Sequence, residues 1–276
     1  MRGQLTILCE NTVTRPGGLI GEHGFAVLLE SDQGRFLFDT GQGLGILGNA
    51  RVLGKDLTTL DGIILSHGHA DHCGGLLQVL ENCANVNLYA HPGVFVERYW
   101  SGRFERRANG SPWSREQVVA AGGQLIPVRE FLEPIPGLYL SGEVPRHSTF
   151  ETGDPNLMIA GEGRSLRPDP FDDDLSLALD TPRGLLVLVG CAHAGLVNIL
   201  RHFRSQTGKP VFAVLGGTHL APAGDEQFAA TVDYLRRSGI ERIGLAHCTG
   251  LARGGELAQV FPDKVVFANV GFQFDF

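Results

Sequence analysis

The sequence contains little that would suit a membrane, a disulfide scaffold or a nucleic-acid partner. Its 276 residues include only five cysteines, scattered and odd in number, so we expect no disulfide framework and a reducing, cytoplasmic location. No apolar run approaches the ~20 residues that a membrane span requires. The net charge is −7, from 23 basic and 30 acidic residues, whereas coating nucleic acid needs clustered Lys and Arg. We therefore predict no membrane and no nucleic-acid partner.

The motifs of three common enzyme classes are also missing. The sequence contains no GxSxG, no HExxH and no GxxxxGK(S/T), which leaves serine hydrolases, zincins and P-loop proteins without support. Residues 43–48 do match GxGxxG, the fingerprint of dinucleotide-binding folds. However, Asp61 opens its predicted strand, whereas the acid that binds ribose lies at the end of one. We interpret residues 43–48 as an ordinary glycine-rich loop.

Glycine is abundant, with 38 residues, about twice the usual ~7%. Several short apolar runs end in a glycine-flanked turn that carries a metal-ligand type of side chain, and such runs are typical of buried strands. These runs cover residues 36–38, 62–65, 185–189, 211–215 and 243–245. Further strands are predicted over 5–10, 25–31 and 35–39, the last two as a hairpin. Helical periodicity predicts helices over 74–82, 194–205 and 225–237, and Ser114 with Gln117 indicates a capping box for a helix over 114–121.

This pattern favours a mixed α/β chain that forms one domain over 1–276. Two segments interrupt it, a probable cap or insertion around 97–115 and a loop-like stretch over 152–174. The first segment is rich in arginine, and guanidinium groups there would suit a phosphate or carboxylate on a substrate. The alternative, which we favour for most of these arginines, is a solvated face partly paired with Glu97, Glu105 and Glu116. The arginines concerned are Arg98, Arg103, Arg106, Arg107 and Arg115.

The strongest chemical signal is His67-Gly68-His69-Ala70-Asp71-His72, which follows a predicted buried strand directly. Imidazole and carboxylate are preferred ligands of zinc, iron and similar ions. Because residues two apart in extended backbone point the same way, His67 and His69 can bind one ion. Asp71 and His72 follow at the turn into a helix, where they can face a second ion. A metal centre is therefore a better explanation than a histidine-rich surface loop.

With this HxHxDH motif, and the Asp-bearing turn at 38–41 before it, the chain resembles the metallo-β-lactamase-fold hydrolases. Within them it is most similar to the branch named for 7,8-dihydropterin-6-yl-methyl-4-(β-D-ribofuranosyl)aminobenzene-5′-phosphate synthase, or dihydropteroate-synthase-like hydrolases. The resemblance extends over nearly the whole chain, and the segments that carry it are 22–25, 66–72, 190–195, 216–220 and 247–250.

The resemblance implies an αββα sandwich with a dinuclear metal site at the edge between two sheets. His67 and His69 would then hold the first ion, and Asp71 and His72 the second, joined by His247. The chain departs from the family where a bridging Asp is usual, because Cys191 occupies that position. Its softer thiolate would bridge or bind one ion and change the metal preference.

Three further residues are candidates for parts of this site. His193 is the substitute for the third histidine of the first ion. His219 has several possible roles, as a ligand, a proton donor to the leaving group, a substrate contact or a purely structural histidine. Asp39 is expected to orient a metal-bound histidine rather than to bind metal itself.

These expectations define a metal-dependent hydrolase with two divalent ions, zinc foremost and manganese or iron as alternatives. The ions would activate water against a small, anionic or phosphorylated substrate such as an ester, phosphoester or lactone, with Asp71 and His219 as catalytic residues. Two alternatives come from other classes, a di-iron redox protein on the same fold and a ligand-binding module stabilised by metal. The sequence leaves the oligomeric state open.

Overall fold

The computed structural model of the chain describes residues 1–161, 163 and 165–276. The strands are β1 (Gly3–Cys9), β2 (Ala26–Ser31), β3 (Gly34–Phe38), β4 (Gly62–Ile64), β5 (Val86–Ala90), β6 (Arg98–Ser101), β7 (Arg106–Ala108), β8 (Gly123–Pro127), β9 (Leu132–Ile135), β10 (Leu138–Leu140), β11 (Leu157–Ala160), β12 (Leu166–Pro168), β13 (Ser176–Thr181), β14 (Gly184–Val189), β15 (Val211–Gly217), β16 (Arg242–Ala246), β17 (Val265–Phe267) and β18 (Gln273–Asp275). The α-helices are α1 (Ile46–Val52), α2 (Ala70–Cys73), α3 (Leu76–Leu80), α4 (Arg115–Ala120), α5 (Leu196–Thr207), α6 (Asp225–Arg237) and α7 (Leu251–Val260).

Most strands lie in two seven-stranded sheets of similar design. The first has the order β18–β1–β2–β3–β4–β5–β8 and the second β17–β16–β15–β14–β13–β10–β9. In each sheet one part is antiparallel and the other is parallel, the parallel part being β3–β4–β5–β8 in the first and β14–β15–β16–β17 in the second. The predicted hairpin is confirmed as β2 and β3, in which Ser31 pairs with Gly34.

The two sheets pack face to face and helices cover their outer faces. One apolar core combines side chains of both sheets, such as Phe38 and Leu188, and therefore lies between them. A second core packs the opposite face of the first sheet against α1, α3 and α4, and a third packs the second sheet against α5, α6 and α7. Strands buried on both faces need continuous apolar sequence, which explains the runs at 185–189 and 211–215. The predicted αββα sandwich is confirmed.

The helix predictions are confirmed with small shifts in their bounds. Helices α5 and α6 match their predictions closely, and α4 carries the predicted capping box, in which Ser114 Oγ accepts from Gln117 N–H and the Gln117 side chain accepts from Ser114 N–H. The short helix predicted over 74–82 is found as α3, which begins only at Leu76 because two glycines, which are poor helix formers, precede it. No helix in the described part of the chain is both long and apolar enough to cross a bilayer.

The two segments interpreted as loops pair with each other in a third sheet. Strands β6 and β7 come from the arginine-rich segment, β11 and β12 come from residues 152–174, and their order is β12–β11–β6–β7. The loop prediction is wrong there because these strands are only three or four residues long, too short for a period-2 pattern to be recognised in the sequence. An isolated bridge between His69 and Gly110 ties this sheet to the histidine motif.

Candidate metal centre

A buried ion pair fixes the backbone of the histidine motif behind β4. The Arg98 guanidinium lies 2.8 Å from Asp169 Oδ2 and 2.6 Å from Asp173 Oδ1, and its side chain is only 3% exposed. Asp173 Oδ2 in turn accepts a hydrogen bond from Gly68 N–H at 2.9 Å. A Cβ at position 68 would come within 2.4 Å of Arg98 Nη1, so only glycine fits between the two metal-ligand candidates. The solvated face predicted for the arginines is wrong for Arg98, whose acidic partners lie about seventy residues away in sequence.

His67, His69 and His193 form the first group of candidate ligands. Their nearest ring nitrogens all lie within 4.8 Å of one another, and His67 Nε2 is 3.0 Å from His69 Nδ1. The Phe171 ring stacks on His193 with a centroid separation of 3.9 Å. Burial lowers the pKa of His69 to about 3, and it lowers the pKa values of His67 and His193 well below the usual range. All three imidazoles are therefore neutral, which is the form that binds metal.

A second group is centred on the carboxylate of Asp71. Asp71 Oδ2 lies 3.2 Å from His23 Nε2, 3.3 Å from His247 Nε2 and 4.0 Å from His72 Nε2. Although burial opposes it, His72 and its neighbours lower the pKa of Asp71 well below its usual value. Burial also lowers the pKa of His72, but Asp39 and Asp71 together raise it to about 9. In the metal-free chain the two carboxylates therefore favour the protonated form of His72.

Buried polar groups orient the histidines of both groups from behind. Asp39 Oδ2 lies 2.7 Å from His72 Nδ1 and accepts from Ser66 Oγ at 2.7 Å, and Ser66 Oγ is 2.8 Å from His67 Nδ1. Asn11 Oδ1 is 2.9 Å from His247 Nδ1. These contacts leave Nε2 of His72 and of His247 facing each other across 3.2 Å, toward Asp71.

A third group combines two thiols with an imidazole. The sulfur atoms of Cys191 and Cys248 and a ring nitrogen of His219 all lie within 4.8 Å of one another. Cys191 Sγ is also 3.1 Å from His72 Nε2, so this residue lies between the third group and the histidines. Burial raises the pKa of Cys191, whereas contacts with Cys191 and His219 outweigh burial and lower the pKa of Cys248. All five cysteines are free.

The backbone at this centre is strained. A positive φ is uncommon for residues other than glycine, and strain of this kind clusters at functional sites. Six such residues occur in the described chain, and five of them lie at or beside the three groups: Asp39, Phe171, Ala192, His219 and His247.

Residues of all three groups line one open cleft with a cavity of about 550 Å³, whereas His67 and His72 lie behind them. Its wall includes Trp100 and Arg107 from the third sheet, and the Arg107 guanidinium lies 5.1 Å from the Trp100 ring centroid. Arg103 and Arg106 lie over Phe104 and Tyr99 in the same way. Among the described residues no ion pair joins these arginines to acidic neighbours, so the pairing with Glu97, Glu105 and Glu116 that we predicted is not found. Only Arg107 of the five reaches the cleft.

The structure brings all the predicted site residues together at this one place. These residues are His67, His69, Asp71, His72, Cys191, His193, His219 and His247. Sequence reasoning assigned no role to Cys248 or Asp174. Cys248 directly follows His247 at the end of a predicted strand, and that position was an available signal. Asp174 had no sequence signal. Its Oδ2 accepts a hydrogen bond from the N–H of Ala194, next to His193, and Ala194 lies twenty residues after Asp174 in the sequence.

The donor set fits metal ions. Buried polar side-chain atoms normally have hydrogen-bond partners, and an orphaned atom calls for an explanation. His69 Nε2 and both ring nitrogens of His193 and of His219 are buried without a partner. One ring nitrogen of each of these three histidines lies within 4.8 Å of other ligand-type atoms. A neutral imidazole has one free lone pair, so each ring can offer one nitrogen to a cation.

Comparisons with known proteins agree with this chemistry. The Lactamase_B family profile, described as the metallo-beta-lactamase superfamily, matches residues 19–247. A curated protein of Methanocaldococcus jannaschii, named 7,8-dihydropterin-6-methyl-4-(beta-D-ribofuranosyl)-aminobenzene-5′-phosphate synthase, is 30% identical over 260 residues, covering 91% of this chain and 88% of that protein.

Solved structures show the same relationship. Tm1679, described as a metal-dependent hydrolase of the beta-lactamase superfamily, has a TM-score of 0.84 and 28% identity, covering 99% of this chain and 98% of its own. Zn²⁺-bound PqqB from Methylobacterium extorquens is 15% identical with a TM-score of 0.57, and the match covers 99% of this chain and 100% of that one. At this identity the likeness shows a shared fold alone. The predicted family resemblance is confirmed: the chain belongs to the metallo-beta-lactamase superfamily.

Proposed function

We propose that this protein is a metal-dependent hydrolase that uses two divalent ions against a small anionic substrate. The observation that carries the proposal is that two adjacent ligand groups, His67–His69–His193 and Asp71–His72–His247, present His69, His193, Asp71 and His247 to one cleft. The first group has buried nitrogens without partners, and in the second the Asp71 carboxylate lies within 4.0 Å of Nε2 of both histidines. Esters, phosphoesters and lactones are the substrate classes that suit such a centre.

Each group would hold one ion. Zinc is the first choice because neutral imidazole and carboxylate suit it, with manganese or iron as alternatives. Cys191, 3.1 Å from His72 Nε2, lies where its thiol can reach the second ion. When bound, such ions lower the pKa of water to near 7 and polarise the substrate oxygen.

Buried polar side chains hold the candidate ligand histidines in fixed orientations. Asp39 accepts a hydrogen bond from Nδ1–H of His72, which leaves Nε2 as the atom at which a metal ion would replace the second proton. Asn11 Oδ1 does the same for His247, and Ser66 Oγ contacts Nδ1 of His67. Because these contacts are buried, little rearrangement is needed before the substrate binds.

The cleft wall supplies groups that suit an anionic, planar substrate. Arg107 carries a guanidinium that binds phosphate or carboxylate with two parallel hydrogen bonds. The adjacent Trp100 offers an aromatic face on which a ring can stack. The leaving group would take its proton from water in the open cleft, which frees His219 for another role.

The test is metal content together with activity. Protein purified without chelator should contain near two zinc or manganese ions in these two groups and should turn over members of an ester, phosphoester and lactone panel. The His69→Ala variant should lose activity while its circular dichroism stays unchanged. His202→Ala is the matched control, because His202 on α5 contacts the carbonyl oxygen of Ser141 and does not line the cleft. Turnover retained in His69→Ala would overturn the proposal, and two irons with oxygen reactivity would favour a redox protein.

A second candidate function is a synthase reaction at the same centre. It is favoured by the 30% identity to the M. jannaschii synthase, whose named product combines a dihydropterin, an aminobenzene and a phosphate. Trp100 and Arg107 would then contact an aromatic ring and a phosphate. Reaction in water enriched in heavy oxygen separates the candidates, because hydrolysis places solvent oxygen in a product and a condensation of two substrates does not.

A further inference from the structure

The carboxyl ends of three neighbouring parallel strands bring Cys191, His219 and Cys248 together. Strands β14, β15 and β16 pair in register, with Val189 opposite Gly216 and Gly217 opposite Ala246. Cys191, His219 and Cys248 each follow one of these strands by two residues. Because parallel strands end at the same edge of the sheet, the three side chains converge although they are separated by 28 and 29 residues.

The backbone at this edge is shaped to allow the convergence. A Cβ at position 217 would lie 2.6 Å from Cys248 Sγ and 2.5 Å from the Gly190 carbonyl, so glycine is needed for the thiol to approach. His219 N–H donates to Cys248 Sγ at 3.2 Å, a bond that stabilises a thiolate. His219 itself is held at a φ of +52°.

An independent observation indicates that a ligand belongs here. Both ring nitrogens of His219 are buried without a hydrogen-bond partner, although the ring lies in a cluster with two sulfur atoms. A structural histidine would satisfy at least one nitrogen with a backbone or side-chain group, as His91 and His202 do.

We propose that Cys191, His219 and Cys248 form a third metal site for a soft divalent ion such as zinc or cadmium, which adjoins the second histidine group at Cys191. Two thiolates and one imidazole are a known zinc ligand set of the kind that keeps a fourth position open. The three residues line the cleft, so that fourth position faces it. Their spacing within 4.8 Å is compatible with a tetrahedral site whose Zn–S bonds are about 2.3 Å.

This site differs in character from the two histidine groups. Thiolates select soft ions, whereas the groups of imidazole and carboxylate accept zinc, manganese or iron. Two of the three residues also contact the histidine groups, Cys191 through His72 Nε2 at 3.1 Å and His219 through the ring of His193, at a centroid separation of 4.4 Å. The inference does not rest on hydrolysis, since it concerns metal binding alone.

Cobalt(II) titration of the metal-free, reduced, full-length protein tests the inference. Charge transfer from thiolate to cobalt gives an absorption band in the near ultraviolet, and imidazole or carboxylate ligands do not produce this band. We expect the band in the wild type. Cys248→Ser should show about half its intensity because one of two thiolates is lost, and His219→Gln should bind cobalt more weakly. Cys83→Ser is the matched control, since Cys83 lies in the helical layer away from the cleft. His69→Ala should keep the band, so a failed hydrolase proposal leaves this result intact.

An unchanged band in Cys248→Ser would overturn the inference, because Cys191 alone would then be the thiolate ligand. If the variant does not fold, X-ray absorption of the wild type with one equivalent of cadmium gives the answer. Two sulfur neighbours per cadmium would support the site, and none or one would overturn it.

Discussion

Replacing Asp39 with asparagine removes one charge from beneath the metal centre while keeping the shape of the side chain. Asp39 is fully buried and accepts three hydrogen bonds of 2.7 Å, from Ser66 N–H, from Ser66 Oγ and from His72 Nδ1–H. Both carboxylate oxygens of Asp39 accept hydrogen bonds, whereas asparagine has a single acceptor oxygen. At least one of the three donors would therefore face the NH₂ group of the asparagine. In either orientation of the amide, Nδ1–H of His72 loses its negatively charged acceptor, which weakens His72 as a metal ligand.

The size of the effect follows from the lost hydrogen bond. A hydrogen bond to a charged group contributes about 1.5–3 kcal/mol, which corresponds to roughly a 10- to 100-fold change in an equilibrium constant. Groups that orient metal-bound histidines change metal affinity by a similar factor. We therefore expect the Asp71–His72–His247 group to bind zinc about 10- to 100-fold more weakly in Asp39→Asn, and the His67–His69–His193 group to be affected less.

Competition between metal-free protein and a zinc-binding dye measures this change. Asp180→Asn is the matched control, since Asp180 pairs with Lys209 at a partly exposed position on β13. Wild-type affinity for both ions in a folded Asp39→Asn protein would refute the argument, and so would an equal loss in the control.

Three further predictions concern stability and are checked by chemical denaturation in the presence of chelator. Arg98→Met leaves Asp169 and Asp173 buried without their partner and should destabilise the fold by about 3–5 kcal/mol, and a loss below 1 kcal/mol would contradict the buried ion pair. Ser114→Ala removes a helix cap and should cost about 1 kcal/mol, whereas an unchanged midpoint would mean that the capping box contributes nothing. Burial raises the pKa of Asp174 to about 7 from the usual 3.8, so the folded state disfavours its ionisation. The free energy of unfolding of the wild type should therefore fall by up to about 4 kcal/mol as pH rises from 4 to 7. Asp174→Asn should not show this fall, and parallel pH profiles of the two proteins would contradict the argument.

The histidine motif was predictable because its information is local. Residues two apart in extended backbone share a direction, so His67 and His69 already specify converging ligands, and Asp71 and His72 follow within three residues at the turn into α2. The long buried strands were predictable for a similar reason, because a strand that is buried on both faces of a sheet needs apolar side chains at nearly every position. The capping box at Ser114 is likewise encoded within four residues.

The third sheet was not predictable, because its strands are short and its pairing is distant. Strand β6 pairs with β11, nearly sixty residues later, through backbone groups that carry no sequence signature. Arg98 was mistaken for a surface residue for the same reason. Its burial depends on Asp169 and Asp173, which reach it only after that sheet forms.

The sequence by itself determined which side chains are available for metal and which backbone segments present them, because a strand followed by a glycine-flanked turn is specified within a few residues. Only the tertiary structure decided how they combine. The in-register ends of β14, β15 and β16 place Cys248 beside Cys191 and His219, and the desolvation that sets the protonation of His69 and Asp174 exists only after both sheets have packed. Proximity and burial are properties of the folded chain, and local sequence cannot specify them.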